Sequence, residues 1–424
     1  MNRIDSLRQF LDSAHSVYHA VAALEEMLKN VGYIRLQERQ NWTLVPGGKY
    51  YFVRGGSALI AFRIPESAPE GFLISAAHAD RPTFQVKENG VLEGKYTRLS
   101  VEKYGGMLMA PWLDRPLSVA GRVIVETETG VQTKLMDIDR DLLLIPNVAI
   151  HMNRNVNDGY KWNPAVDMLP LLGGAESGKK FWDMVESEAG GKVIGHDLYL
   201  YVRQKAAVWG MEEEFISAQG LDDLECVWGC AQGFMNAKAT AKIPVLCVFD
   251  SEEVGSSTCQ GAGADMLQSA ITRICKALGK EEKELLASSF MVSADNAHAL
   301  HPNHPELSDS ANAPALNGGV VVKYNANRRY TTDGLSAGVF RKICDKAGVP
   351  VQTYYNRADL PGGSTLGCIS LSQVAVPSVD IGLAQLAMHS CYETAGVKDA
   401  EYLADAMTAY YNTELEVTEN GYSI

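Results

Sequence analysis

The sequence predicts an α/β domain interrupted by an inserted, largely β domain. Three observations lead there. Apolar runs that end in a His or a carboxylate alternate with helical patterns over residues 1–89, and the same alternation resumes over 214–424. Between them, over 90–213, short alternating segments and loops rich in Asn, Gly and Pro replace the long helical patterns. At 424 residues and 46% hydrophobic, the chain is long enough and apolar enough to bury more than one core.

The net charge of -13 argues against a nucleic-acid partner. An acidic substrate stays possible, because one nearby basic residue outweighs a distant acidic surface. No apolar run approaches the roughly 18 residues needed to cross a bilayer, and Met1-Asn2-Arg3-Ile4-Asp5-Ser6 lacks the pattern of a signal peptide. A soluble, cytoplasmic protein without membrane contact is expected. All eight cysteines lie at or beyond Cys226, mostly within apolar segments, and are expected to be free, buried thiols. Cys226 and Cys230 have metal-compatible spacing but no second Cys or His pair to complete a site, so they read as core.

In chain order, apolar residues at helical spacing from Ile4 to Val31 predict two surface helices. Lys49–Arg54 and Ser57–Phe62 flank Gly55-Gly56, a hairpin signal. The apolar strand Gly71–Ala77 then leads into His78-Ala79-Asp80. A His at the carboxyl end of a buried strand stands where open α/β sheets place ligands; a core His bonded to a carboxylate is an equal reading. Arg122–Glu126 and Thr133–Met136 form another hairpin-like pair within the insertion. Leu221-Asp222-Asp223-Leu224 precedes a helical stretch, where an Asp commonly serves as N-cap.

Val245–Phe249 leads into Asp250-Ser251-Glu252-Glu253-Val254-Gly255, two carboxylates side by side where a strand ends. In extended chain the two side chains point to opposite faces, so one is available as a metal ligand and the other as a base. Ser288–Ala294 ends in Asp295, with His298 and His301 beyond, and Val374–Gly382 leads through Leu386-Ala387-Met388 to His389. Four segments thus deliver His or carboxylate groups. Counted as ligands, His78, Asp222, Glu253, Asp295 and His389 offer two imidazoles and three carboxylates, which with one bridging carboxylate suits a dinuclear site for zinc, and also for manganese or cobalt. Glu252 is left over as general base.

These motifs resemble those of the aspartyl aminopeptidases, dinuclear zinc exopeptidases that remove acidic N-terminal residues. The resemblance spans nearly the whole chain, through Tyr18-His19-Ala20-Val21, Ala77-His78-Ala79-Asp80, Trp112-Leu113-Asp114-Arg115, Ser251-Glu252-Glu253-Val254-Gly255, Ala294-Asp295-Asn296-Ala297-His298 and Gln385-Leu386-Ala387-Met388-His389-Ser390. It implies a three-layer sandwich of the zinc exopeptidase type and an inserted dimerisation domain. One zinc would be held by His78, Asp222 and Asp295, and the other by Asp222, Glu253 and His389. Glu252 would be the base, and Asp80 would orient His78 through its second ring nitrogen. By the same resemblance Lys323, in Val320-Val321-Val322-Lys323-Tyr324, would meet the acidic side chain of a peptide with a free N-terminus. His298 would join the substrate-binding set, His151 would reach a neighbouring subunit's site, and six dimers would build a dodecamer. Where the family carries Arg-Leu-Asp-Asn, this chain has Gly220-Leu221-Asp222-Asp223: a basic neighbour is lost and an acid gained, and Asp223 becomes an alternative bridging ligand. A broad-specificity aminopeptidase, a deacylase, and a non-catalytic self-assembling particle are the alternatives.

Overall fold

Along the strand Phe72–His78, Leu73 and Ala77 pack into one apolar cluster while Phe72, Ile74 and Ala76 pack into another. A strand buried on both faces belongs at the middle of a layered fold. The computed structural model describes every residue except Met1, Ala239, Pro361 and Ser364. Its central sheet has nine strands in the order Ile34–Arg35, Lys49–Arg54, Ala58–Arg63, Ile243–Phe249, Phe72–His78, Phe290–Ala294, Ser378–Gly382, Val320–Tyr324 and Val351–Tyr355. The four from Ile243–Phe249 to Ser378–Gly382 are mutually parallel, and Phe249 pairs with His78, so their carboxyl ends open on one edge.

One face of this sheet carries the helices Arg3–Ser13, Val17–Asn30, Leu221–Asn236, Gly334–Ala347 and Val397–Tyr411; the other carries Met266–Leu278. The result is the three-layer α/β sandwich expected. The helices Leu221–Asn236 and Val397–Tyr411 approach closely because Gly229 and Gly233, one turn apart, face Leu403 and Met407. A Cβ on either glycine would come within 2.6 Å of that partner. The two N-terminal helices lie where the periodicity put them, with Leu7, Phe10, Leu11, Leu24 and Leu28 buried against the core. Gly55 and Gly56 turn the hairpin with φ of 62° and 78°.

A second sheet of six strands, in the order Gly130–Asp137, Leu117–Thr127, Val193–Val202, Thr83–Leu92, Tyr96–Tyr104 and Leu171–Gly174, encloses its own apolar cluster around Phe84, Trp112, Leu198 and Phe181. Its first strand begins at Thr83, and its last in sequence ends at Val202. Sequence patterning foresaw few helices in this region, yet Ser177–Ala189 is a full helix burying Phe181, Val185 and Ala189. A third sheet of five strands joins Ala207–Trp209, Phe215–Ala218, Glu393–Gly396, Ala384–Leu386 and Ala297–His298. The eight cysteines are free: six are buried as expected, Cys368 is half-buried and Cys259 is exposed. Among the described residues no helix is long and apolar enough to cross a membrane.

Candidate metal centre

His78 closes its strand with both ring nitrogens engaged. Nδ1 lies 3.1 Å from the Asp80 carbonyl oxygen and 3.3 Å from Asp80 Oδ1, which leaves Nε2 aimed at Asp222 Oδ1, 3.6 Å away. The other oxygen of Asp222 is 3.3 Å from His389 Nε2, which is also 3.3 Å from Glu253 Oε2. Two groups emerge, His78 with Asp222 and Asp295, and Asp222 with Glu253 and His389, and within each the candidate ligand atoms lie no more than 4.8 Å apart. Asp222 belongs to both. Asp223 turns away, its Oδ2 accepting the backbone N–H of His78 at 3.2 Å. Asp222 is not a helix cap: Gly220 holds the N-cap position, and Asp222 has non-helical dihedrals and a cis bond to Asp223.

Glu252 and Glu253 diverge, but not as neighbours in extended chain. Residues Glu252–Val254 form a 3-10 turn entered through Ser251 at φ 65°, and about three residues per turn splays consecutive side chains by roughly 120°. Glu253 reaches the ligand group, while Glu252 lines an open cavity together with His78, Asp222, Asp295 and His389. Asp80 fixes this turn as well as the imidazole. Its carboxylate accepts the backbone N–H groups of Glu252 and Glu253, each at 3.1 Å, and the Tyr104 hydroxyl at 2.8 Å.

Burial, with Asp295, Asp80 and Asp222 nearby and His78 opposing, pushes Glu252 up to about 7. Burial also raises Glu253 and Asp223 well above the usual carboxylate range. Asp222 goes the other way: burial opposes it, but the imidazoles of His389 and His78 close beside it hold it below that range. Asp222 Oδ1, Asp223 Oδ1 and Glu253 Oε1 are buried without a hydrogen-bond partner. Each such acceptor costs about 1–3 kcal/mol unless a cation meets it. The three carboxylates and two imidazoles of the two groups fit divalent ions of the zinc type on that ground.

Lys323 and His298 are on the cavity wall, whereas His151 is exposed in a turn of the insertion and takes no part in this wall. The Lys323 ammonium is fully engaged within the chain, donating to the carbonyl oxygens of Asp295 (2.6 Å) and Asn296 (3.1 Å) and to Asp295 Oδ1 (3.2 Å). Tyr104 and Glu393 carry no motif that points to the site. Tyr104 belongs to the second sheet and Glu393 is one acid among many, so only the folded chain brings them here.

A three-layer α/β sandwich with imidazoles and carboxylates converging at the carboxyl edge of its parallel strands, and a spare glutamate beside them, defines a metal-dependent hydrolase. Comparison with known proteins is more specific. The pattern of the aminopeptidase I zinc metalloproteases (M18) matches residues 10–411. A probable M18 family aminopeptidase 2 of Clostridium acetobutylicum is 40% identical over 422 residues, covering 96% of this chain and 98% of the relative. Among solved structures, that of an Ape4 and Nbr1 complex superposes with a TM-score of 0.93 at 33% identity, covering 96% of this chain and 85% of the other. The mApe1 dodecamer of S. cerevisiae gives a TM-score of 0.84 at 25% identity, covering 96% of each chain. The chain belongs to the M18 family and is a metallo-aminopeptidase.

Proposed function

We propose that the chain removes N-terminal residues, by preference Asp or Glu, from peptides, using two zinc ions held by His78, Asp222 and Asp295 and by Asp222, Glu253 and His389. The observation that carries this reading is the sharing of Asp222 between two ligand groups, with Glu252 on the same cavity wall. When bound, the ions supply the positive charge that acidifies water and polarises the scissile carbonyl. Glu252 takes the proton of the attacking water and passes it to the leaving amine, a task suited to a carboxylate lifted toward neutrality by burial. Asp80 keeps His78 oriented through Nδ1 and holds the Glu252–Glu253 turn by its two amides.

The acidic preference is supported by charge. Lys323 is the one Lys or Arg on the cavity wall among the described residues, and in a site of low dielectric its charge is felt over several ångströms. His298 adds a ring nitrogen on the same wall. We also infer that the inserted unit, expected at 90–213, pairs two chains, and that His151 serves the site of a neighbour. A dodecamer like that of the yeast relative is the assembly proposed. A panel of N-terminal amino-acid amides tests the central claim. Fastest turnover on Asp or Glu amides is expected; a preference for neutral residues would make this a broad-specificity aminopeptidase.

A further inference from the structure

We propose that Glu393 is a positioning residue that sets the spacing between Asp222 and His389. It begins the strand Glu393–Gly396 and is 1% exposed. Its Oε1 accepts the backbone N–H of His389 at 2.7 Å, and its Oε2 accepts that of Asp222 at 3.1 Å. One rigid carboxylate therefore grips the main chain of two candidate ligands that approach the site from distant parts of the sequence. Buried Arg81 lies near enough for its charge and that of Glu393 to interact, but no direct ion pair between a Lys or Arg and Glu393 is present among the described residues, and a buried carboxylate is costly unless hydrogen bonds compensate it.

The grip extends further. Gln385 donates from Nε2 to Glu393 Oε1 at 3.4 Å and accepts from Asn296 Nδ2 at 2.7 Å; the same Asn296 nitrogen donates to the Leu221 carbonyl oxygen at 3.0 Å. Asn296 follows Asp295 directly, so one buried network reaches the segments of three candidate ligands. His389 and Ala387 also adopt left-handed backbone, at φ 66° and 57°, a conformation that non-glycine residues keep only when their surroundings impose it. The bond from His389 N to Glu393 is part of that imposition. An amide at position 393 would turn an N–H2 group toward one of the two N–H donors, so a carboxyl group with an acceptor oxygen on each side suits the task and the isosteric amide does not.

This inference rests on the metal reading above, and the test separates the two. Zinc affinity is measured by chelator competition on the full chain, wild type and Glu393→Gln, with circular dichroism and light scattering to show that both are folded and equally assembled. The expected result is a ten- to hundredfold loss of zinc affinity in Glu393→Gln, the usual effect of removing a group that orients metal ligands. Unchanged affinity accompanied only by a lower melting temperature of the metal-free protein would make Glu393 a structural residue and overturn the proposal. If Glu393→Gln does not fold, Glu393→Asp, which keeps both acceptor oxygens but withdraws them by one methylene from the two main-chain N–H groups, is expected to lose affinity several-fold, and no loss overturns the proposal equally. A wild-type chain that binds no zinc would instead sink the metal reading.

Discussion

Arg81 lies over Gly220: a Cβ at position 220 would sit 2.7 Å from Arg81 Cδ and 2.9 Å from its Nη1. Arg81 is buried and donates from Nη1 to the Ala14 carbonyl oxygen at 2.7 Å, so it occupies the space into which a side chain at position 220 would extend. Gly220 itself has φ 69°, where a side chain is strained as well as crowded. Gly220→Ala is expected to destabilise the protein by about 1–3 kcal/mol, as overpacking does. Urea denaturation checks this, and with Arg81→Ala present the added cost of Gly220→Ala should shrink, because the crowding partner is gone.

Glu252→Gln is expected to leave zinc content near normal and to lower kcat by about 10²–10⁴-fold, the range for loss of a general base. Glu253→Gln should instead lower metal affinity, since Glu253 lies in the group with Asp222 and His389 while Glu252 lines the cavity. Elemental analysis beside steady-state kinetics distinguishes them. Swapped behaviours would reverse the two roles.

The candidate ligand segments stand out in the sequence because their signal is local. His78, Asp295 and the Glu252–Glu253 pair each follow an apolar strand, and the strands carry the position with them. The layered fold was legible for the same reason: alternation and helical spacing report which faces are buried. What escaped was set by tertiary contact. The 3-10 turn at Glu252 is held by Asp80, from 172 residues away, and no local pattern announces it. The crowding of position 220 by Arg81 is a matter of proximity alone. Lys323 was visible as a cation in an apolar strand, but its acceptors, Asp295 and Asn296, became known only from the fold.

Tyr104 ties the second sheet to the site through its bond to Asp80 Oδ2. Its ring is also placed edge-on to Tyr199, with centroids 5.8 Å apart, so Tyr104→Phe keeps the packing and removes only the hydroxyl. A hydrogen bond to a charged acceptor contributes about 1.5–3 kcal/mol. Because the amides of Glu252 and Glu253 still hold Asp80, part of that loss should appear as a lower melting temperature and part as a several-fold drop in kcat. A variant with wild-type values of both would show that Asp80 needs only its amide donors.

Metal removal should be reversible and should cost stability. Chelation leaves the acceptors Asp222 Oδ1 and Glu253 Oε1 buried without partners, and binding to the folded state alone stabilises it by mass action. We expect a chelated sample to lose activity, melt at a lower temperature and regain both on addition of zinc, manganese or cobalt. Two ions per active chain are expected by elemental analysis, and one or fewer in fully active protein would refute the dinuclear assignment.

Lys323 is expected to do two things, and one substitution separates them. Its ammonium is held by Asp295 and Asn296, so Lys323→Met leaves the Asp295 carboxylate buried without its cation. Breaking a buried pair in this way typically costs about 3–5 kcal/mol. Zinc bound beside Asp295 replaces the lost charge, so the metal-free protein should suffer more than the zinc-loaded one, and the gap between their melting temperatures should widen. The second effect concerns substrate. If the charge of Lys323 also favours an acidic first residue, kcat/KM should fall roughly tenfold further for an N-terminal Asp amide than for a Leu amide, the worth of about 1–2 kcal/mol of charge attraction acting across the site rather than through a direct bond. An equal loss on both amides would confine Lys323 to anchoring Asp295 and would place the acidic selectivity on other residues, with His298 on the same wall the next to replace.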